Sequence, residues 1–330
     1  MTIRNLGFIR TQRQITCPIC GGQGGVFRSE VKDYYFGSPG VWSLSKCFGN
    51  CLAVWLDPAP TPDDIGNAYL NYHTHESTNK HSTRKDWRRL YEVFLNIKFR
   101  SLSIFRKLLS ERKKYRYMFL KEVPTGKLLD VGFGGGRFLR RMQKSGWTVE
   151  GVDFDDKAAE RVKNKYGIKT YVGDLRNLDI PSESYDAIVM SHAIEHVFDP
   201  VSLLVECNKL LKKEGRLVII TPNAGSVAHR RFGKYWRGLE VPRHIQIFSR
   251  KGMDICLKEA GFAARSVTTF SHHSEGIYRV SAELRSRELS LPSDLFESIL
   301  KSKIYMLAEY RHLIRNPDSG EDILAIAIKK

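Results

Sequence analysis

The hydrophobic pattern of the second half of the chain alternates between short apolar runs and amphipathic stretches of helical period. Seven apolar runs have strand length, and they lie at residues 127–131, 148–153, 170–173, 186–190, 216–220, 264–270 and 322–329. Alternating strands and helices predict an α/β domain with a mainly parallel sheet. In such sheets the ligands bind at the carboxyl ends of the strands, where polar residues follow several of these runs.

Two shorter regions precede this domain. Apolar runs at residues 34–36, 41–44 and 52–56 predict the short strands of a small module. From Trp87 to Leu109, apolar residues recur at helical spacing with lysine and arginine on the opposite face, which predicts a basic amphipathic helix.

These patterns predict three parts. A small module covers residues 1–83, a basic helical connector covers 84–121, and the α/β domain covers 122–330. Within the last part, residues 272–320 show helical patterning between the final two strands. This insert is expected to cap an acceptor site or to form a subunit contact, and the sequence does not choose between them or fix the oligomeric state.

The composition is that of a folded protein without a membrane span. Hydrophobic residues make up 42% of the 330 residues, which is enough for a core and too much for a disordered chain. No apolar run approaches the length of a transmembrane helix, and residues 1–13 contain three arginines without a long apolar stretch. The chain is therefore expected to be cytoplasmic, with peripheral contact to a membrane as an option.

The net charge of +17 is unevenly distributed along the chain. Residues 84–121 contain thirteen basic and three acidic side chains, and residues 207–251 contain eleven and two. This concentration is consistent either with solvated helix faces or with an anionic partner such as membrane headgroups or a phosphate-bearing acceptor.

Four of the six cysteines form two close pairs. Cys17 and Cys20 enclose two residues, and Cys47 and Cys51 enclose three. In a chain without a secretion signal, two such pairs indicate a structural zinc site of zinc-ribbon type, because zinc takes four thiolates in a tetrahedron. Four thiolates leave no open position for catalysis. The alternative is four reduced cysteines without a metal.

A glycine-rich loop follows the first strand of the α/β domain. A dinucleotide fingerprint would need glycine or alanine where Arg137 or Leu139 stands, and the lysine of a P-loop is missing. The pattern instead alternates from an acid at the strand end through three glycines: Asp130, Gly132, Gly134 and Gly136.

Two further acids follow the next strands. Asp153 ends the second strand, 21 residues after Gly132, where a carboxylate can accept both hydroxyls of a ribose. Asp174, followed by Leu175, ends the third strand, where a carboxylate can accept the amino hydrogens of adenine. The loop and the two acids together predict a nucleoside-containing ligand.

These motifs resemble the class I S-adenosylmethionine (SAM)-dependent methyltransferases, in particular the branch close to ubiquinone-biosynthesis O-methyltransferases with an N-terminal Cys-x-x-Cys module. The most specific stretches are Leu-Asp-Val-Gly-Phe-Gly-Gly-Gly-Arg-Phe at 129–138, Gly-Asp-Leu at 173–175, Glu-His-Val-Phe-Asp-Pro at 195–200 and Thr-Pro-Asn at 221–223. The resemblance implies a Rossmann-like sheet of seven strands, the last antiparallel, and a SAM-dependent methyltransferase activity.

The resemblance also implies site residues. SAM is expected to contact Asp130, Gly132, Gly134, Gly136, Asp153, Phe154, Asp174, Leu175 and Ser191. A base is needed only if the acceptor arrives as an un-ionised hydroxyl or ammonium, and the candidates are His192, His196 and His244, each with a structural role as the alternative. His244 is the preferred contact to the acceptor.

A metal is an alternative aid to catalysis. The ubiquinone-type enzymes carry Glu-x-x-Glu-His at a segment that looks like a divalent-cation site, and here His192 replaces the first acid while Glu195 and His196 are kept. This replacement disfavours magnesium and leaves a softer ion as the metal option.

The expected acceptor is a small molecule or sugar, anionic and perhaps nucleotide- or lipid-linked, that is methylated on oxygen. A nucleic-acid methyltransferase is the second interpretation, although Ser-His-Ala-Ile at 191–194 differs from the loop expected for base-amine methylation. A non-catalytic scaffold is the third.

Overall fold

The computed structural model describes residues 9–49, 51–70, 103–291 and 295–330. Most of the predicted basic connector, including Trp87, therefore lies outside the described residues. Its C-terminal part forms helix α1 (Ser103–Arg116). None of the helices in these ranges combines the length and the hydropathy needed to cross a membrane.

The N-terminal module contains five short strands: β1 (Thr11–Gln12), β2 (Gly24–Val31), β3 (Trp42–Cys47), β4 (Val54–Leu56) and β5 (Ala59–Pro60). The strand predicted at residues 34–36 is wrong, because Asp33 accepts hydrogen bonds from the main-chain N–H groups of Tyr35 and Phe36 and turns the chain there. Strand β2, which the sequence analysis missed, alternates poorly and is mostly exposed.

The α/β domain contributes eight strands. They are β6 (Lys127–Val131), β7 (Thr148–Asp153), β8 (Lys169–Val172), β9 (Tyr185–Ser191), β10 (Leu211–Pro222), β11 (Gln246–Ile247), β12 (Ala264–Phe270) and β13 (Asp322–Ile328).

Seven further helices accompany these strands. They are α2 (Arg137–Lys144), α3 (Asp156–Tyr166), α4 (Pro200–Leu210), α5 (Val227–Phe232), α6 (Arg250–Glu259), α7 (Ser274–Glu288) and α8 (Leu295–Arg315). Local sequence sets several of their starts. Asp155 and Asp199 each accept a main-chain N–H of the first helical turn, and Pro200 occupies the first turn of α4.

The large sheet has the order β12-β13-β10-β9-β6-β7-β8. Its neighbours pair in parallel except for β13, which runs antiparallel to both β10 and β12. The predicted seven-stranded Rossmann-like sheet with an antiparallel last strand is confirmed. Its central strands are apolar on both faces, because helices cover both sides, and residues 187–190 of β9 are fully buried.

The N-terminal module and the α/β domain share one sheet and one core. Strand β11, from the α/β domain, pairs with β4 and completes the order β11-β4-β3-β2. Ile19 and Trp55 of the module belong to the same buried cluster as Met253 and Leu257 of α6. The two parts are therefore packed as one body at this seam.

Candidate active site and cysteine centre

The glycine loop between β6 and α2 adopts a backbone that other residues rarely take. Gly132, Gly134 and Gly136 all have positive φ, at 79°, 52° and 67°. A Cβ atom at Gly136 would lie 2.5 Å from a methyl carbon of Val162, so a side chain is excluded there on steric grounds as well. The loop thus leaves its main chain open to a ligand at the start of α2.

Two acids stand beside this loop. The Asp153 carboxylate accepts the N–H of Gly134 at 2.8 Å and that of Asp155 at 3.1 Å, which ties the end of β7 to the loop. Asp130 is buried, and burial together with the nearby charge of Asp153 raises the pKa of its carboxyl to about 8. A cationic group bound next to Asp130 would favour its ionised form, so the residues present fit a ligand that carries an ammonium or sulfonium group.

The other predicted cofactor residues differ in exposure. Phe154 is 73% exposed and stands free beside Asp153. The Asp174 carboxylate is held by Arg176, whose hydrogen bond lowers the pKa of Asp174. The Leu175 side chain is buried in the core, so it offers its main chain rather than its side chain to a ligand. Ser191, at the end of β9, lies 3.4 Å from the Tyr115 hydroxyl.

A cleft of about 400 Å³ opens beside the carboxyl ends of β9 and β10. The insert forms one wall, because Gly276, Ile277 and Val280 of α7 line the cleft. Charged and ionisable lining residues are His192, His244, His273, Arg237, Arg279 and Glu240, joined by Glu321 and Asp322. The cleft is therefore polar and of mixed charge, and its size suits a small molecule or a sugar unit.

The predicted histidines surround one buried carboxylate. Glu195 is fully buried, and its Oε2 accepts the Thr221 hydroxyl at 2.9 Å. Its Oε1 lies 3.4 Å from His192 Nδ1 and 3.8 Å from His244 Nε2. Burial alone would raise the pKa of Glu195, but the hydrogen bond from His192 and the charges of the surrounding histidines lower it to about 2.

The three histidines differ in protonation. Burial acts to lower the pKa of His192, yet its hydrogen bond to Glu195 and the charges of Asp322 and Glu240 raise it to about 9. For His244, burial dominates and lowers the pKa to about 4. His192 is therefore a cation at neutral pH and His244 is a neutral ring.

Hydrogen bonds to carbonyl groups set the tautomers of His244 and His196. His244 Nδ1 lies 2.8 Å from the Gly238 carbonyl oxygen, and His196 Nδ1 lies 2.9 Å from that of Arg243. A carbonyl oxygen only accepts, so both Nδ1 atoms must carry hydrogen. The Nε2 atoms of both rings are left with a lone pair.

The ionisable groups fall into two sets at metal-ligand spacing. One ligand atom from each of Glu195, His196 and His244 lies within 4.8 Å of the others, and the same holds for His192, His273 and Asp322. The segment considered as a metal set from sequence, His192 with Glu195 and His196, is thus divided between two clusters. Either cluster is equally suited to hold and move a proton.

Sequence reasoning missed several residues of the site. Tyr69 lies 127 residues before His196, and nothing in its surroundings predicts that its hydroxyl stands 3.0 Å from the ring. His273 Nδ1 is 3.2 Å from Asp322 Oδ2, and the His-His pair directly after the strand at 264–270 was a signal for this position.

The second basic segment is largely paired with acids. Arg237 pairs with Glu240, and Lys212 pairs with Asp186. Arg250 pairs with Asp318. The charge surplus in residues 207–251 is therefore partly structural, while Arg237 and Arg279 are the arginines that line the cleft.

The four cysteines of the module come together as predicted. Cys17 Sγ lies 3.4 Å from Cys51 Sγ, and Cys20 Sγ lies 3.6 Å from Cys47 Sγ, so neither pair is a disulfide. All four sulfur atoms lie within 4.8 Å of one another. A tetrahedron with Zn–S bonds of about 2.3 Å has S–S edges of about 3.8 Å, so these donors fit zinc. Cys207 and Cys256 are buried core residues, as expected.

Comparison with known proteins identifies residues 102–267 as a match to the methyltransferase domain family. Ubiquinone biosynthesis O-methyltransferase of Haemophilus ducreyi is 35% identical over 122 residues, which are 33% of this chain and 52% of that protein. The enzyme of the same name from Coxiella burnetii is 31% identical over 107 residues, 31% of this chain and 46% of that protein. The chain thus spans about half the length of these curated relatives.

Solved structures with a similar fold include a SAM-dependent methyltransferase of Archaeoglobus fulgidus, with a TM-score of 0.46 and 21% identity. That comparison covers 72% of this chain and 100% of the other. Geranyl diphosphate C-methyltransferase of Streptomyces coelicolor has a TM-score of 0.46 and 18% identity, covering 67% and 76%.

Proposed function

The chain belongs to the class I SAM-dependent methyltransferase family, and from this premise we propose that it transfers the SAM methyl group to an oxygen of a small molecule or sugar bound in the cleft beside β9 and β10. The observation that carries this proposal is the neighbourhood of Ser191 and His192, which join the end of β9 to the cleft that contains His244. Bound SAM supplies an activated methyl group on a sulfonium.

The residues of this chain have distinct proposed roles. Asp130, Asp153 and the three glycines bind and orient SAM, with Phe154, Asp174, Leu175 and Ser191 around the adenosine and the methionine portion. His244 accepts the acceptor's proton at Nε2, because that atom holds the lone pair of a neutral ring in the cleft. Glu195 orients His192 and His244 and stabilises positive charge on them.

The proposed acceptor is hydroxylated, and its anionic handle, if it is nucleotide- or lipid-linked, would face Arg237 and Arg279. O-methylation is favoured by the curated relatives, whose printed activity is O-methylation. Peripheral membrane contact through the basic connector stays a prediction. The proposal is tested by following S-adenosylhomocysteine (SAH) release against phenols, free sugars and sugar nucleotides, with detection of the methylated product. Turnover on any of these classes supports it, and product found on nitrogen or carbon would overturn the choice of oxygen.

Zinc is the proposed partner of the four cysteines, Cys17, Cys20, Cys47 and Cys51. The spacing of the sulfur atoms supports a closed structural site, because four thiolates leave no position for an acceptor. With zinc bound, the module of residues 1–83 is a structural unit that is joined through the connector of residues 84–121 to the catalytic domain of residues 122–330.

SAH binding is expected to tighten as the pH rises from 6 to 8. The empty site keeps Asp130 protonated up to a pKa of about 8, whereas a bound ammonium group favours the carboxylate. Binding therefore releases a proton below pH 8, and the affinity rises up to about tenfold per pH unit. Calorimetric titrations at several pH values measure this slope. In Asp130→Asn the slope should vanish, and an unchanged slope would contradict the role of Asp130.

Replacing Asp153 by alanine is expected to weaken SAH binding roughly tenfold to a hundredfold, the worth of one charge-assisted hydrogen bond of about 1.5–3 kcal/mol. Asp156→Ala, three residues away in the exposed first turn of α3, is the matched control and should bind like the wild type. Fluorescence or calorimetric titration provides both dissociation constants. Equal affinity in the two variants would disprove the ribose contact.

A further inference from the structure

Residues 243–247 lie between the N-terminal module and the turn that carries Glu195. On one side, the N–H of Leu56 donates to the Ile245 carbonyl at 2.9 Å, and Gln246 pairs with Trp55 across β11 and β4. On the other side, the N–H of Ile245 donates to the Glu195 carbonyl at 3.0 Å. The segment that contains His244 is thus held by the module and by the catalytic turn at once.

The side chain of Arg243 is buried inside the module. It has no exposed surface, and its guanidinium donates to Asp33 Oδ2 at 2.9 Å and to the Ser38 hydroxyl at 2.7 Å. It also donates to the Ala68 carbonyl at 3.0 Å and stacks over Phe36. A buried ion pair with full hydrogen bonding fixes geometry closely, because the guanidinium fork accepts few arrangements.

The main chain of this same residue accepts the His196 proton. The Arg243 carbonyl receives Nδ1–H of His196 at 2.9 Å, and the Tyr69 hydroxyl, from the module, lies 3.0 Å from the same nitrogen. Partners of this kind fix which nitrogen of a histidine is protonated and how its ring is oriented. His196 in turn packs edge-on against His244, with ring centroids 4.7 Å apart.

We propose that the N-terminal module is part of the acceptor site: Asp33 acts through Arg243, and Tyr69 acts directly, to hold His196 as the Nδ1–H tautomer with Nε2 free beside Glu195 and His244. This inference rests on the proposed function of the cleft. Asp33, Arg243 and Tyr69 are positioning residues, and the module is more than a separate binding domain attached to a methyltransferase.

Histidine tautomers report on this arrangement without knowledge of the acceptor. Long-range proton–nitrogen correlation spectra of full-length protein with labelled histidine rings distinguish Nδ1–H from Nε2–H, and His196→Asn assigns the His196 signal. In Asp33→Asn we expect His196 to lose the pattern of a single Nδ1–H tautomer. SAH affinity should stay within about twofold of wild type, because the cofactor loop is distant from the pair.

Two more variants guard against misfolding. Asp33→Asn combined with Arg243→Met leaves no unpaired buried charge, and Tyr69→Phe removes a single oxygen. Asp57→Asn is the matched control, because it breaks the exposed-arginine pair of Arg13 with Asp57 in the same module and should leave His196 unchanged.

The outcomes separate the two claims. Altered His196 signals in the charge variants and in Tyr69→Phe, with wild-type signals in Asp57→Asn, support the inference. Unchanged His196 signals in Tyr69→Phe, or in a folded double variant that binds SAH, would overturn it while leaving the proposed function intact. Wild-type protein that binds no SAH would instead overturn the proposed function.

Discussion

Replacing His244 by asparagine is expected to lower kcat for methyl transfer by about 10²–10⁴-fold, the usual contribution of a positioned general base. Asparagine keeps a donor for the Gly238 carbonyl but removes the Nε2 lone pair that faces the cleft. SAH affinity should be unchanged, because His244 does not belong to the cofactor loop. Initial rates with an acceptor from the panel, and SAH titrations, measure the two effects separately.

The control for this variant is His229→Asn. His229 is also buried, its pKa is likewise lowered by burial to about 4, and its Nδ1 also bonds a carbonyl oxygen, that of Ala224. It stacks on Trp236 outside the cleft lining, so its loss should cost stability and leave kcat nearly unchanged. Equal losses of kcat in both variants would show that His244 is merely structural.

The pH dependence of kcat follows from the same lowered pKa. A ring with a pKa of about 4 stays neutral from pH 8 down to about 5, and it gains a proton only as the pH falls toward 4. Base catalysis by His244 therefore predicts a flat profile in the neutral range and a decline on the acid side. His244→Asn should lack that acid limb.

Replacing Cys47 by serine is expected to release the metal and to lower the free energy of unfolding by more than about 3 kcal/mol, since structural zinc contributes apparent binding energies of ~10–16 kcal/mol in finger peptides. The reason for so large an effect is the shared seam. Cys17, Cys47 and Cys51 belong to the same buried cluster as Met253 and Cys256, so loss of the centre exposes part of the catalytic core.

Metal analysis and urea unfolding measure the two consequences. Cys207→Ala is the control, because Cys207 is fully buried in the catalytic core and lies outside the cysteine centre. That variant should lose some stability and retain one zinc per chain. Full zinc content in Cys47→Ser, or folded wild-type protein that is free of metal from purification onward, would contradict the assignment.

The catalytic fold could be predicted from sequence because its signals are local. The seven strands are apolar runs bounded by polar residues, and the predicted runs at 264–270 and 322–329 match β12 and β13 closely. The glycine loop is equally local, since the positive φ of Gly132 and its neighbours explains those glycines. Cysteine spacing sufficed for the four-sulfur cluster for the same reason.

The acceptor side could not be predicted to the same depth because its contacts join distant parts of the chain. Arg243 and Asp33 are 210 residues apart, and Tyr69 and His196 are 127 apart. In sequence, Arg243 counts only as part of a basic segment, whereas in the fold it is neutralised inside the module. A charge count cannot separate a buried, paired arginine from one that lines a cleft, such as Arg237.

The central claim is that the methyl group of SAM goes to a small acceptor, and labelled transfer tests it most directly. The protein is incubated with methyl-radiolabelled SAM and a cell extract, and the extract is then separated into small-molecule, protein and nucleic-acid fractions. The account predicts label in the small-molecule fraction with wild type and Asp156→Ala, and its loss with His244→Asn. Label in the nucleic-acid or protein fraction, or equal transfer by His244→Asn, would contradict it.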